Sequence, residues 1–342
     1  MRVQSLRVQH FRIHDDRELL FSEGVTVILG GNGTGKTSLI EALHVMLRGT
    51  SFRGSDDSMK NADSAWYRID CAIDNEYALR YVKYQGEYKE FVVEDKKSRR
   101  LSLKHKHPVV LFEPDVLRML TSSPARRREY LDSLITQVDE TYAKVLRRYD
   151  RALRQRNNLL KQQASDDQLF AWNVTLSEYG AYIVMARQKA ITRIAETINQ
   201  TYQSIAQKDD EIHLEYSFSA TEQLQQKLLY ELERTIDRDR MLGATTTGPH
   251  RHDLIVYFNG SLITDVASRG EVRTVVLALK FIEVSLIESV LDKQPIILLD
   301  DVFGELDETR QKELIHSFRD YQIIITATSI PKTKLSASII RL

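Results

Sequence analysis

Residues Gly30 to Thr37 read GGNGTGKT, directly behind the apolar run Val25-Thr26-Val27-Ile28-Leu29. Gly30 and Gly35 stand at the two glycine positions of the G-x-x-x-x-G-K-[ST] spacing, and Gly31 and Gly33 also lack side chains. Successive backbone N–H groups are then free to turn inward around a phosphate. Behind the loop, Leu39, Ile40, Leu43, Met46 and Leu47 recur at helical spacing. Strand, glycine loop and helix therefore follow one another in the order a phosphate-cradling P-loop requires. In that reading Lys36 reaches the β and γ phosphates, the Thr37 hydroxyl ligates Mg²⁺, and the helix directs its positive end at the anion. The expected nucleotide contacts are Gly30, Gly31, Asn32, Gly33, Thr34, Gly35, Lys36, Thr37 and Ser38, with ATP and Mg²⁺ as ligands. A glycine turn that only joined strand to helix would need neither the lysine nor the threonine.

An acidic partner stands far along the chain. Ile296-Ile297-Leu298-Leu299 is an apolar run ending in Asp300-Asp301, which puts two carboxylates at the C-terminal edge of a buried strand. Asp300 is expected to hold Mg²⁺ and Asp301 to orient or deprotonate the attacking water, with Lys36 as the other catalytic group. Paired aspartates also cap strands, but together with a P-loop they point to hydrolysis. Ser268-Arg269-Gly270-Glu271 precedes an apolar helix and is literally a capping box. Capping accounts for Ser268 and Glu271 but not for Gly270, a costly residue in a first helical turn unless something must approach the backbone closely. A helix start carrying Ser and Gly about 30 residues before the acidic strand has the layout of an ABC-type signature loop, and both readings hold together.

The remaining chain sets the organisation. At 342 residues it exceeds the usual size of one core, so two lobes are expected. Strands are expected at Val3 to His10 and Val25 to Leu29. The segments YRIDCAI, EYALRYVKY and YKEFVVED, separated by Asp74-Asn75 and by Gln85-Gly86-Glu87, predict an antiparallel meander. From Pro124 to Lys208 the only glycine is Gly180, and Leu131, Leu134 and Val138 fall at helical spacing. Two long helices broken near Ser165 to Asp167 are expected there, and a third over Glu222 to Arg240. Beyond Gly243, DLIVYF, Asn259-Gly260 and SLITDV predict a tight hairpin. The division expected is 1–123 for the first part of an ATPase head, 124–242 for an inserted helical arm, and 243–342 for the rest of the head. The fold class is thus α/β, a P-loop head with a mixed sheet, an antiparallel β lobe and an α-helical arm.

Charge is silent overall, with 48 Lys plus Arg against 48 Asp plus Glu, so any attraction to nucleic acid is local. Arg126-Arg127-Arg128 and the row Arg147, Arg148, Arg151, Arg154 and Arg156 are the strongest patches. Arg147, Arg151 and Arg154 share a helix face and could follow a phosphate backbone, although a solvated face explains such a row equally well. The basic segment Lys96 to Lys106 reads as a charged loop and edge strand, and His250-Arg251-His252 as a structural turn. One cysteine, Cys71, excludes an internal disulfide, and the nine histidines show no zinc spacing. No stretch has the length of a membrane span and the N-terminus lacks a secretory apolar core, so a cytoplasmic protein is expected.

Taken in order, several segments resemble the RecF family, recombination mediators of bacterial DNA repair in the ABC-ATPase group that includes SMC and Rad50 heads. They are the opening strand ending in Phe11-Arg12, GGNGTGKTSLIEAL, VVLFEPDVLRMLTSSPARRREYLD, GPHRHDL, ASRGEVRTVVLALKFIE and LLDDVFGELD. The resemblance implies that Arg12 joins the ATP contacts and that Asp307, in Glu305-Leu306-Asp307, belongs to a D-loop at a dimer interface with Ser268, Arg269, Gly270 and Glu271. It further implies an ATP-dependent homodimer with slow, DNA-stimulated hydrolysis. Such a dimer clamps duplex DNA beside single-stranded gaps and, with RecR and RecO, helps load RecA. The chain departs from the pattern in three places, one of them Val272, which follows the signature where the family often carries a polar residue. Phe112-Glu113-Pro114-Asp115 holds no glutamine, and Thr326 and Thr328 stand where a switch histidine would be. The rivals are a P-loop kinase or other ATPase without a DNA role, which needs no signature loop, and a long-armed SMC-type clamp. The latter is disfavoured because roughly 85 residues folded back as a hairpin span at most about 60 Å.

Overall fold

The computed structural model describes residues 2–73, 80–219, 222–330 and 336–342. Its chain divides into two units, the first formed by Met1–Leu117 with Glu283–Leu342 and the second by Arg118–Ile282.

The first unit opens with β1 (Val3–Phe11), β2 (His14–Leu20), β3 (Val25–Leu29) and α1 (Lys36–Arg48). It continues through β4 (Trp66–Ile73), β5 (Arg80–Gln85), β6 (Tyr88–Val93), β7 (Lys96–Ser98) and β8 (Val109–Phe112). The second unit holds α2 (Pro124–Val138), α3 (Glu140–Lys161), α4 (Asp166–Ala195), α5 (Ile198–Ala206) and β9 (Ile212–Tyr216). There follow α6 (Leu224–Arg234), α7 (Ile236–Leu242), β10 (Leu254–Phe258), β11 (Ser261–Leu262) and α8 (Ile263–Val266). Helix α9 (Arg269–Leu291) crosses the division, after which β12 (Ile296–Asp300), α10 (Glu308–Ser317), β13 (Ile323–Ala327) and β14 (Ala337–Arg341) complete the first unit.

Two sheets build the first unit. Strands β14-β3-β13-β12-β8 form a sheet in which every pair is parallel. Strands β2-β1-β4-β5-β6-β7 form an antiparallel one. The parallel strands read as unbroken apolar runs, IILLD and IIITA, because a parallel sheet in such folds is covered on both faces. The antiparallel strands alternate, as in β4, where Tyr67, Ile69, Cys71 and Ile73 are buried. Helix α1 shares one core with both sheets: Leu39, Ile40, Leu43, Met46 and Leu47 are fully buried with Leu6 and Val8 of β1, Ile69 of β4, Leu298 of β12 and Ile324 of β13. Burying each such side chain contributes roughly 1.5–3 kcal/mol, so the helix behind the glycine loop is held rigidly.

The second unit departs from the sequence expectation in detail. The first long helix is two, because Asp139 leaves the helical region at φ −133° and its carboxylate accepts from the N–H groups of Thr141 and Tyr142, capping α3. The break expected near Ser165 is present, with Ser165 and Gln168 forming a capping box at the start of α4. A further break at residues 196–197 separates α5, and the helix expected over Glu222 to Arg240 is split at Thr235 into α6 and α7. The Asn259-Gly260 hairpin is as expected, with φ of 50° and 79°, but its second strand is only Ser261–Leu262 before the chain turns helical.

Strands β2, β9 and β14 lie outside the sequence expectation. Only β9 alternates plainly, with Ile212, Leu214 and Tyr216 buried. It pairs with β10 from Ile212↔Phe258 to Tyr216↔Leu254, and that pairing places residues 243–262 with the helices rather than with the head. The Asp74-Asn75 turn lies outside the described residues. Among the described residues no helix is long and apolar enough to cross a membrane.

Candidate nucleotide site and signature helix

Strand β3 ends at Leu29 and hands the chain to the glycine loop, whose entry is pinned by Gly30 N–H donating to Ala327 O at 3.2 Å. The last glycine is demanded twice. Gly35 has φ +89°, and a Cβ there would sit 2.4 Å from His14 Nε2 and 2.8 Å from Ile13 Cγ1. Within the loop the Thr34 hydroxyl donates to Gly31 O at 2.9 Å, and Lys36 Nζ, almost buried, donates to Gly30 O and Gly31 O at 2.8 Å each. Lys36 therefore lies across the concave side of the loop, with Asn32 exposed and Ser38 buried in the first turn of α1.

The acidic pair comes from β12, two strands from β3, since β13 lies between them. With strands about 4.8 Å apart, Asp300 is about 10 Å from the β3 backbone, and a side chain at the start of α1 bridges that gap. The Thr37 hydroxyl donates to Asp300 Oδ1 at 2.9 Å. The same oxygen accepts from the Thr326 hydroxyl of β13 at 2.8 Å. Burial pushes the Asp300 carboxyl above its ordinary range, and the two hydroxyl donors work against that shift. A buried carboxylate beside a threonine hydroxyl is a donor set that suits a hard divalent cation, so Thr37 and Asp300 fit Mg²⁺. Asp301 is exposed and in the left-handed region at φ 53°, and its N–H donates to the Thr326 hydroxyl at 2.9 Å.

Three further residues shape this unit. Arg12 clamps Glu41 of α1 through Nε and Nη2 at 2.9 and 2.7 Å and donates to Ser58 O at 2.5 Å. Its guanidinium is thus engaged by a fully buried carboxylate, tying the corner after β1 to the P-loop helix. His14 places Nε2 3.1 Å from Gly35 O, and burial pushes its pKa below the usual histidine range. Asp307 caps α10 by accepting from Arg310 N–H at 2.9 Å, while Gln311 Nε2 donates to Phe303 O and Leu306 O at 2.7 and 3.0 Å, fixing the loop between Asp301 and Asp307. Nothing in the sequence signals Gln311, because its partners are backbone carbonyls.

In the second unit the capping box is complete. Ser268 N–H and hydroxyl donate to Glu271 Oε2 at 2.9 and 2.8 Å, and Glu271 N–H donates to Ser268 Oγ at 3.3 Å. These bonds hold the half-buried Glu271 carboxyl below its ordinary range. Lys208 Nζ adds an ion pair to Glu271 Oε1 at 3.3 Å. Ser268 and Arg269 are exposed and Gly270 partly so, at the head of a 23-residue helix.

The candidate DNA arginines separate into two groups. Arg127 is paired in two-point fashion with Asp253, at 2.8 and 2.7 Å, and donates to Leu120 O and Ser122 O at 3.2 and 2.8 Å. Arg128 donates to His252 O at 2.8 Å. These two are half-buried anchors of the unit, whereas Arg126 is exposed and bonds Glu129 at 3.1 Å. Arg156 is likewise no surface cation. It is fully buried, with Asp239, Asn173 and Thr245 at 2.7, 2.7 and 2.8 Å. Arg147, Arg148, Arg151 and Arg154 of α3 are all exposed. His250 and His252 are packing groups: His250 bonds Tyr149 at 2.7 Å and is pushed down to about 4 by burial, and His252 stacks on Phe218.

This contrast is measurable. Arg127→Ala is expected to cost roughly 2–4 kcal/mol, because it orphans the mostly buried Asp253 carboxylate. Arg151→Ala is expected to stay within about 0.5 kcal/mol. Denaturant unfolding of both variants beside the parent reads the difference, and equal midpoints would return Arg127 to the surface patch.

Comparison with known proteins agrees with this architecture. The AAA domain model matches residues 5–237. The DNA replication and repair protein RecF of Ruminiclostridium cellulolyticum is 31% identical over 96% of this chain and 93% of its own. Among solved structures, the recombination mediator protein RecF with ATP, of the RecFOR pathway, superposes with a TM-score of 0.86 at 29% identity, covering 97% of this chain and 93% of that one. An Smc head domain from Pyrococcus furiosus superposes at 0.53 with 14% identity over 96% of this chain and 89% of that one, a likeness of fold alone. Sustained from end to end of both chains, this likeness shows that the chain belongs to the RecF family of DNA replication and repair proteins.

Proposed function

We propose that this protein is an ATP-switched DNA-binding repair factor, in which ATP bound with Mg²⁺ at the glycine loop joins two copies into a dimer. The observation that carries the reading is the hydrogen bond between the Thr37 hydroxyl and Asp300, which joins the loop helix to the acidic strand. The loop N–H groups and Lys36 bind the phosphates, and Arg12 braces the loop through Glu41. When bound, Mg²⁺ supplies charge neutralisation to the phosphate oxygens, and Thr37 and Asp300 are the residues that hold it. Asp301, exposed at the strand end, orients the attacking water and takes up its proton. Ser268 and Gly270 at the head of α9 complete the site of the other copy, where a helix N-terminus favours the γ-phosphate, and Asp307 lies at the joint.

The DNA contact falls to Arg147, Arg151 and Arg154, exposed at helical spacings of four and three on α3. Contacts of this kind are insensitive to sequence and weaken with salt. The RecFOR pathway named for the ATP-bound relative supports RecO and RecR as partners. In this reading they help load RecA at gapped duplexes, and hydrolysis is slow and stimulated by DNA.

Sedimentation velocity with ATP and with ADP, with and without gapped duplex, tests the reading. ATP is expected to shift the protein from monomer to dimer, ADP not, and DNA to strengthen the shift. A protein that stays monomeric with ATP and DNA removes the dimer switch. Replacing Arg147, Arg151 and Arg154 together by alanine is expected to lower DNA affinity at least about 10-fold at moderate salt and to flatten the salt dependence by about three contacts. An unchanged slope excludes this face.

A further inference from the structure

Thr326 lies near the C-terminal end of β13, and its hydroxyl is the link between the two acidic residues. It is fully buried on β13, in register with Ile28 of β3 on one side and with Asp300 of β12 on the other. Its proton has two acceptors within reach, Leu299 O at 3.5 Å and Asp300 Oδ1 at 2.8 Å, and the carboxylate is much the nearer. Its lone pair receives the Asp301 N–H at 2.9 Å. A buried threonine that only satisfied itself would need no more than the carbonyl of the neighbouring strand.

We infer that Thr326 is the positioning residue of hydrolysis: one hydroxyl orients the Asp300 carboxylate and, through the N–H it accepts, holds Asp301 in its left-handed conformation. This rests on the reading of Asp300 and Asp301 given above. The left-handed region is unfavourable for a residue bearing a side chain, and a hydrogen bond to the N–H of that residue keeps it there. Losing the hydroxyl orphans the amide and lets residue 301 rotate, which carries its carboxylate away from the place set for it. The Thr37 hydroxyl converges on the same Asp300 oxygen, so loop helix, acidic residue and strand end share one chain of hydrogen bonds: Thr37 to Asp300, Thr326 to Asp300, Asp301 to Thr326. Such chains transmit orientation because each donor fixes the lone-pair direction left for the next.

The test compares the parent with Thr326→Val, which keeps the shape and removes the hydroxyl, and with Thr326→Ser, which keeps the hydroxyl. Amide exchange at residue 301, measured without nucleotide, is expected to be slow in the parent although the side chain is exposed. It is expected to be at least about 10-fold faster in Thr326→Val and restored in Thr326→Ser, the size expected when one hydrogen bond is lost. Steady-state ATP turnover is expected to fall about 10- to 100-fold in kcat in Thr326→Val with KM within about 3-fold, and to recover in Thr326→Ser.

An unprotected amide in the parent, equal exchange and kcat in Thr326→Val and the parent, or a serine variant as impaired as the valine one would each overturn the assignment. The first of these needs no variant to fold. A parent with no ATP turnover at all would instead sink the proposed hydrolysis, while the exchange comparison still decides the role of Thr326.

Discussion

Lys36→Ala is expected to lower ATP affinity by about 100-fold or more without unfolding the protein. Its ammonium group already lies across the loop, donating to Gly30 O and Gly31 O at 2.8 Å, so it meets an incoming phosphate without rearranging. A hydrogen bond to a charged group contributes about 1.5–3 kcal/mol, and two of them lost correspond to roughly 10²–10⁴ in affinity. The cost to the fold is smaller, because the alanine also relieves the burial of a charged ammonium, which offsets the two carbonyl bonds given up, and because the helix behind Lys36 is held by its fully buried leucines and isoleucine. Calorimetric titration with ATP, beside a circular dichroism melt, separates the two effects. An alanine variant that binds ATP as tightly as the parent would mean that GGNGTGKT is a structural turn after all.

The second large effect is expected from Ser268→Arg. Dimerisation by ATP should be lost, weakened at least about 100-fold, while the affinity of the single chain for ATP stays within about 3-fold. Ser268 is exposed at the head of α9, where an arginine adds bulk and a cation. The substitution also removes the cap that Ser268 shares with Glu271, a loss of about 0.5–2 kcal/mol in its own right. Ser268→Ala separates these contributions, since it deletes the cap and adds nothing. If the alanine variant still dimerises weakly and the arginine variant does not, a partner's surface meets this helix end. An arginine variant that sediments with ATP as the parent does would take the signature helix out of the interface.

Much of the candidate site is legible in the amino-acid sequence, and the legible parts share a property. GGNGTGKT, LLDD, Asn259-Gly260 and Ser268 to Glu271 are each specified by residues within ten positions of one another. Their geometry follows from local backbone rules: positive φ at Gly35 and Gly260, a strand ending in carboxylates, a reciprocal cap. Local hydrogen bonding leaves a mark in the sequence because both partners sit in the same window.

What the tertiary structure decided were the pairings between distant windows. Arg127 and Arg151 are indistinguishable as letters, but Asp253, 126 positions away, takes the first, and the second faces solvent. Arg156 follows the same rule through Asp239, 83 positions on. Thr326 and Thr328 are visible in the sequence as a departure from a histidine, yet the role of Thr326 needs the strand order that sets β13 between β3 and β12. Residues 243–262 read as head because they follow a glycine and return to strand. They pack with the helices because β10 finds its partner in β9, whose alternation over Ile212, Leu214 and Tyr216 is short. The sequence by itself determined which chemistry the chain carries, since phosphate loop, acidic strand and helix cap are local. Only the fold decided which cations are free and what holds Asp301 in place, because the energy of a buried charge or an orphaned amide depends on partners that sequence spacing does not show.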